Sequence, residues 1–330
     1  MKWRGMIVLL LGLSQAMGAS ATGEASGDEC LDPNGPAPLA DECFATAGAA
    51  RFRLAGGRLS LDPVVHRKGS ESRDGAGAFE SLRVTADRGI PSLHYVRHTD
   101  RQQLVLSVRD AREVRLESWL PGSGQRSLLE QPARGDLRWT LRDGGGDDER
   151  VITGATLLHV RAEDPERFDH HYDATIRRLL RGTSLRTIEQ TARAAMLRHL
   201  PTFESPDRDA VVRAVRELAA PERARRIAAE RQILRWGTPA VPLLESIDHS
   251  RLGPEQQARL RSIRGRLGRD RDDTPASLAM RLINDRDYWN VIADRLAPDE
   301  FDSANRHLAT VGLPRLPAEL GNRERIAAAP

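Results

Sequence analysis

Few residues in this sequence have both the type and the spacing needed to bind a metal ion or transfer a proton. His94 and His98 are separated by three residues in a segment whose pattern predicts a strand. Four residues along a strand span about 13 Å, too far for both side chains to bind one metal ion. His159 follows at the predicted end of another strand, where a packed or surface role is the simpler interpretation.

A second group of candidate ligands opens a predicted helix. It consists of Asp169, His170, His171 and Asp173. Together these side chains could hold a cation. Acids near a helix N-terminus are also expected from the helix dipole alone, and we favour that interpretation.

Motifs that would identify an enzyme are missing from the sequence. It contains no GxSxG elbow, HExxH pair, P-loop or dinucleotide fingerprint. The sequence therefore predicts no catalytic residue, no metal ligand and no cofactor. An active site built from scattered residues, as in a hydrolase of the cell envelope, stays open as an alternative.

The distribution of charge is more informative than any single site. Of the 50 basic residues 48 are arginine, which fits GC-rich codon usage better than nucleic-acid binding. Residues 177–235 contain 14 Arg and 7 acids, whereas residues 270–302 contain 9 acids and 4 Arg. The first stretch predicts a basic face that could bind an acidic protein, an anionic glycan or a membrane surface.

Four arginines are the candidate partner-binding residues on this basic face. They are Arg213, Arg216, Arg225 and Arg226. The competing interpretation is a solvated helix surface on which arginines pair with neighbouring acids, such as Arg213 with Glu217 four residues later.

The N-terminus has the pattern of a secretory signal peptide over residues 1–21. Lys2 and Arg4 precede an eight-residue apolar run, MIVLLLGL, and small residues follow it. Cleavage is predicted after Ala21 or Gly18. The run is far shorter than the roughly 20 residues that span a bilayer, so the exported protein is expected to have no transmembrane segment. We therefore expect a periplasmic or extracellular location.

Two cysteines, Cys30 and Cys43, lie in an arm predicted to be irregular. The twelve residues between them are rich in Pro, Gly and Asn, which favour turns. In an oxidising compartment this arrangement predicts one intramolecular disulfide. A redox or metal-binding pair is the alternative, and it lacks the CxxC spacing.

Hydrophobic periodicity divides the rest of the chain. The arm at 22–78 includes a short hairpin turning at Gly56 and Gly57, and residues 69–78 read as a flexible loop. From residue 79 to 162 the period is two, which predicts about seven antiparallel strands in a small sandwich or open barrel. From 163 to 312 the period is 3.6, which predicts a series of helices. Residues 313–330 are expected to form a flexible tail.

One helical stretch resembles a known class of repeat. Residues 237–244 read GTPAVPLL within the longer segment 231–268. This core resembles the second-helix start of HEAT-like repeats, where one helix ends on Gly and the next begins with Ala-Val-Pro. Residues 187–236 and 274–311 match only in helix length and spacing. The resemblance implies a short helical array of the kind that binds other proteins.

These features together predict an exported, two-part protein, with a β domain followed by a helical array. The expected role is non-catalytic binding or scaffolding of another envelope or extracellular protein. An anionic polymer is the alternative partner, and nucleic acid is not expected in that compartment.

Overall fold

A computed structural model of the chain describes residues 52–62, 69–75, 77–145, 149–200, 206–267 and 272–319. The predicted signal peptide, both cleavage positions and the Cys30–Cys43 pair lie outside the described residues. The expected fold class is confirmed: an open antiparallel sheet is followed by a helical region. None of the helices among the described residues has the length and apolar character needed to cross a membrane.

The sheet is a simple meander in which each strand pairs with the next one along the chain. Seven strands lie between residues 78 and 154, and an earlier strand adds an eighth at one edge. Their bounds are β3 Gly69–Gly75, β4 Ala78–Asp87, β5 Ile90–Thr99, β6 Gln103–Arg109, β7 Glu113–Leu120, β8 Gln125–Gln131, β9 Leu137–Arg142 and β10 Glu149–Gly154. β3 and β10 are the edge strands, so the sheet is single and open.

Alternating side chains give this sheet one buried face. A row of directly opposed apolar residues crosses seven strands and is buried throughout. It consists of Leu82, Tyr95, Leu106, Leu116, Leu129, Trp139 and Ile152. The pairing register keeps every member on the same face, because a slip of one residue would turn the row toward solvent.

Two segments differ from the sequence prediction. Residues 69–75, expected as a flexible loop, form β3, which pairs with β4 along its whole length. Residues 157–160, expected to extend the β region, instead open a buried helix, α1 Leu157–Glu163. Thr156 starts this helix by accepting hydrogen bonds from the backbone N–H groups of Leu158 and His159. The predicted domain boundary between 162 and 163 falls inside α1, and the boundary itself stays a prediction.

Nine further α-helices follow in the described residues, and the side chains of Asp164, Ser184 and Thr274 cap three of them by accepting backbone N–H bonds. Two short 3-10 helices lie among them, at His249–Arg251 and Ala293–Arg295. The α-helices are α2 Pro165–Leu179, α3 Leu185–His199, α4 Arg208–Glu217, α5 Arg223–Trp236, α6 Ala240–Glu245, α7 Pro254–Leu267, α8 Pro275–Leu282, α9 Arg286–Ile292 and α10 Pro298–Thr310.

The largest hydrophobic core joins the sheet to the helices on either side of α4–α7. It contains the buried row of the sheet together with α1, α2, α3, α8, α9 and α10. We call this cluster the sheet core. Trp139, Phe168 and Tyr172 pack edge to face within it, with ring centroids 5.3 and 5.2 Å apart. Leu316, in the segment predicted as a flexible tail, is also buried there.

A second core belongs to residues 206–267, which we call the outer helical unit. In this unit α4 packs against α5, α6 and α7. The buried side chains are small and aliphatic, among them Val211, Leu218, Ile233, Leu243 and Ile263. The stretch that resembles HEAT-like repeats forms the end of α5, all of α6 and α7.

The predicted hairpin is present and lies against α1. It consists of β1 Phe52–Ala55 and β2 Arg58–Leu61. Gly57 has a φ of +74°, and a Cβ there would lie 2.6 Å from Cβ of Thr156, so no other residue fits without movement. Its carbonyl accepts a hydrogen bond from Leu157, and its N–H donates to Asp273 at 2.6 Å. The turn therefore joins the N-terminus of α1 to the segment before α8.

Candidate functional site

The four predicted partner-binding arginines lie on two neighbouring helices of the outer helical unit. Arg213 and Arg216 are on α4, and Arg225 and Arg226 are on α5. Arg213 and Arg225 line opposite sides of a groove of about 220 Å³ between these helices. The structure thus brings two of the four into one groove.

These four arginines differ in what they contact. Arg225 donates to both carboxylate oxygens of Glu217, at 2.9 and 2.8 Å. Arg226 donates to the carbonyls of Ala220 and Pro221, and its side chain is 20% exposed. Arg225 and Arg226 therefore serve the connection between α4 and α5.

Arg213 and Arg216 have no such internal role. Both are exposed, and no ion pair engages either of them among the described residues. The predicted pair between Arg213 and Glu217 does not form, because Glu217 is bound by Arg225.

Other exposed arginines of the outer helical unit share this property. This unit contains 13 Arg and 8 acids, a surplus of five positive charges. Six of its arginines are exposed and have no ion-pair partner in the described part of the chain. They are Arg213, Arg216, Arg223, Arg231, Arg235 and Arg261. Five of these six lie on α4 and α5.

A wider cavity than this groove lies elsewhere, between the sheet core and the outer helical unit. We call it the junction cleft; its volume is about 1020 Å³. One wall comes from the hairpin, α1, α8 and α9, and the other from α4, α6 and α7. Charged side chains of both signs line it, among them Arg58, Asp136, Glu163, Arg208, Glu245, Arg264, Arg281, Asp285 and Asp287.

A buried Thr-His-Asp arrangement forms part of the cleft wall. His159 places Nδ1 2.9 Å from Oγ1 of Thr156 and Nε2 3.2 Å from Oδ2 of Asp285. Asp285 also caps α9 by accepting from the N–H of Tyr288. Burial alone would raise the pKa of Asp285, but the contact with His159 outweighs it, so the pKa lies below its usual range.

This arrangement has the residue types of a nucleophile, base and acid but not their geometry. Thr156 is 1% exposed, and its hydroxyl oxygen already accepts the first N–H groups of α1. Nδ1 of His159 lies against Thr156, Nε2 is buried 3.2 Å from Asp285 without a well-aligned hydrogen bond, and the residue is 3% exposed. A substrate could reach neither the hydroxyl of Thr156 nor the ring of His159. The three residues therefore connect α1 to α9 and do not form a catalytic triad.

The candidate cation ligands at the start of α2 are engaged in other contacts. Asp169 makes a bidentate pair with Arg161, at 2.7 Å for both oxygens, and it also pairs with Arg186. His171 lies 3.0 Å from Oγ of Ser118, and burial lowers its pKa to about 4. Within the described ranges, no three His, Cys, Asp or Glu side chains cluster closely enough to hold a metal ion.

The two histidines of β5 lie away from both cavities. His94 contacts Oγ of Ser107 on the neighbouring strand, and the ring of His98 lies 6.0 Å from that of Phe79. The structure does not bring either of them to another candidate ligand described here.

Sequence reasoning missed the junction cleft and its arginines. Arg58 and Arg281 are 223 positions apart in the sequence, and neither belongs to a charged run.

Comparisons with family models, curated proteins and solved structures found no match for this chain.

Proposed function

We propose that this chain is an exported, non-catalytic binding protein that holds an acidic surface of another envelope or extracellular protein through α4 and α5. The observation that carries the proposal is the set of exposed arginines on those two helices that have no ion-pair partner within the described part of the chain. Arg213 and Arg216 are three residues apart and Arg231 and Arg235 four apart, so each pair shares a helix face.

Uncompensated arginines are suited to this role. A planar guanidinium presents several donors in a fork that matches a carboxylate, and it is more weakly hydrated than an ammonium group. A single exposed pair contributes little, about 0–1 kcal/mol. Several charges of one sign act together, because their fields add and attract an oppositely charged partner.

The unit that carries these arginines also supports the proposal. α4 and α5 pack on their own aliphatic core, so their outer faces are held by Val211, Val215, Ile233 and their neighbours. Removing surface charges should therefore change binding without unfolding the helices. The export pattern at residues 1–21 sets the expected compartment of the partner.

Charge reversal tests the proposal directly. The variant Arg213→Glu, Arg216→Glu, Arg231→Glu and Arg235→Glu reverses four of these six charges and leaves the Arg225–Glu217 pair intact. We expect it to lose binding of a fluorescein-labelled 20-residue polyglutamate peptide, measured by anisotropy at low salt. Wild-type protein should bind that peptide and release it as salt rises, since screening weakens exposed charges.

A matched control changes the same number of charges on the sheet side of the molecule. Arg83, Arg101, Arg109 and Arg134 are exposed and have no ion-pair partner among the described residues. Reversing all four should leave peptide binding near the wild-type level. Equal loss in both variants would show that net charge alone binds the peptide, and it would contradict the proposal.

The same assay separates the alternative partner. A heparin fragment of equal charge replaces the peptide as a model of an anionic glycan. Binding of heparin without binding of polyglutamate would favour the glycan and contradict an acidic protein surface.

A further inference from the structure

Arg281 occupies an unusual position in the wall of the junction cleft. It lies in the last turn of α8, and its side chain is 16% exposed. Its one ion-pair contact in the described structure is with Glu245 at 3.9 Å, longer than a charge-assisted hydrogen bond. A largely buried guanidinium thus faces the cleft without a short contact.

The acids around Arg281 already have closer partners. Glu245 accepts from Arg264 at 2.8 Å. Asp285 contacts His159 and caps α9, and Asp273 accepts from the N–H of Gly57 at 2.6 Å. In the described structure no carboxylate lies closer to Arg281 than that of Glu245, and the Arg281 charge acts on Asp273 and Asp285 only at longer range.

A second guanidinium nearby adds to the positive charge. Arg58 donates to the carbonyls of Pro132 and Gly135, both at 2.6 Å, so uncharged groups hold it in place. Burial, and then the charge of Arg281, lower the pKa of Arg58. An anion placed between these two arginines would relieve their repulsion.

We propose that the junction cleft binds a carboxylate-bearing ligand the size of a short acidic peptide, and that Arg281 receives its carboxylate. A volume of about 1020 Å³ is at the upper end of the range for small-ligand pockets, large enough for a few residues. Pro242, Leu243 and Val291 give the cleft apolar wall for the body of the ligand. This site is separate from the proposed surface on α4 and α5.

The carboxylate of Glu245 competes with the ligand's carboxylate for Arg281. The Glu245 carboxylate is bound to Arg264 and lies nearest to Arg281. A neutral side chain at this position would leave Arg281 with less opposing charge nearby. The proposal therefore makes two opposite predictions: loss of the Arg281 charge weakens binding, and loss of the Glu245 charge strengthens it.

The test uses N-acetyl-triglutamate as the probe and isothermal titration calorimetry as the measurement. The starting protein is the variant Arg213→Glu, Arg216→Glu, Arg231→Glu and Arg235→Glu, so that the surface on α4 and α5 cannot contribute to binding. Arg281→Gln should weaken binding roughly ten- to a hundredfold, the usual effect of losing a charge-assisted contact. Glu245→Gln should tighten it, and Arg101→Gln, far along the sheet, should leave it unchanged.

Several results would overturn the proposal. The first is a probe that does not bind at millimolar concentration. The second is an Arg281→Gln variant that binds the probe as tightly as the starting protein does. The third is N-acetyl-triglutamine amide that binds as tightly as N-acetyl-triglutamate. If circular dichroism shows that Arg281→Gln does not fold, Glu245→Gln decides, and unchanged or weaker binding by it contradicts the proposal. Glutarate tests the size of the ligand. If glutarate binds as tightly as the tripeptide, the proposal that the cleft holds a ligand of peptide size is contradicted.

Discussion

The sheet core and the outer helical unit are built from different kinds of side chain. The largest fully buried side chains among the described residues all lie in the sheet core: Trp139, Trp289, Tyr95, Tyr172, Tyr288 and Phe168. The outer helical unit buries Ala, Val, Leu and Ile, and its Trp236 is only partly buried. Because larger apolar side chains lose more surface to water on burial, the sheet core should be the more stable of the two.

Buried polar groups sharpen the contrast. Each buried polar or charged residue in the described structure lies outside residues 206–267. In the sheet core Ser127 joins the hydroxyl of Tyr172 and the indole N–H of Trp139, each at 2.7 Å. Such groups demand a unique partner geometry, because an unpaired one costs about 1–3 kcal/mol. The outer helical unit lacks that constraint and depends on apolar packing and surface ion pairs.

The largest effect is expected from Trp139→Ala in the sheet core. This side chain is fully buried, packs against Phe168 and donates to Ser127. Its loss should cost about 3–5 kcal/mol, and it removes one of the two side-chain hydrogen bonds of Ser127. Because helices and strands share this core, urea unfolding should shift to lower concentration for both sheet and helix signals together. A shift in the strands alone would mean that the helices next to the sheet fold independently of it.

A smaller and more local effect is expected from Ile233→Ala in the outer helical unit. Ile233 is fully buried between α5 and its neighbours, and its truncation should cost about 2–4 kcal/mol. Amide hydrogen exchange should speed up in residues 208–267 and stay slow in β5–β8. Leu106→Ala is the matched control, since it should speed up exchange in the sheet. Equal acceleration across the whole chain after Ile233→Ala would mean that the two cores unfold as one.

Parts of this architecture follow from the sequence because their signal is local. Leu104, Leu106 and Val108 alternate with the less buried Val105, Ser107 and Arg109, and they form β6 with one face buried. Ser184 and Thr274 have the composition of helix caps, and each accepts a backbone N–H in the structure. In both cases the periodicity or cap chemistry lies within a few residues.

Other parts depend on distant residues and could not be predicted. β3 has no apolar pattern, since its sequence GSESRDG is polar, and it forms an edge strand that pairs with β4. Leu157, Leu158 and Val160 form a short apolar run that fits a strand as well as a helix, and burial on all sides of α1 removes the usual stripe. The charges of the junction cleft come from segments more than 200 residues apart, so nothing near Arg58 indicates Arg281.

The two regions should also differ in their response to pH, because α2 of the sheet core carries the buried His171. Burial, and then the positive charges of His170 and Arg167, lower the pKa of His171 from 6.5 to about 4. Between these two values the unfolded chain binds a proton that the folded chain does not. The free energy of unfolding should therefore fall by up to about 3 kcal/mol as pH drops from 6.5 to 4, and be fully retained above 6.5.

His307, also in the sheet core, has a pKa lowered by burial and adds to this loss in the same direction. His171→Asn removes one titrating group while keeping a polar atom near Ser118, so it should flatten the pH dependence measured by urea unfolding without abolishing it. The outer helical unit buries no titratable side chain. Its exchange protection, corrected for the intrinsic rate, should change little over the same interval. An equal loss of protection in both regions would mean that the outer helical unit depends on the sheet core for its stability, which would end the contrast between them.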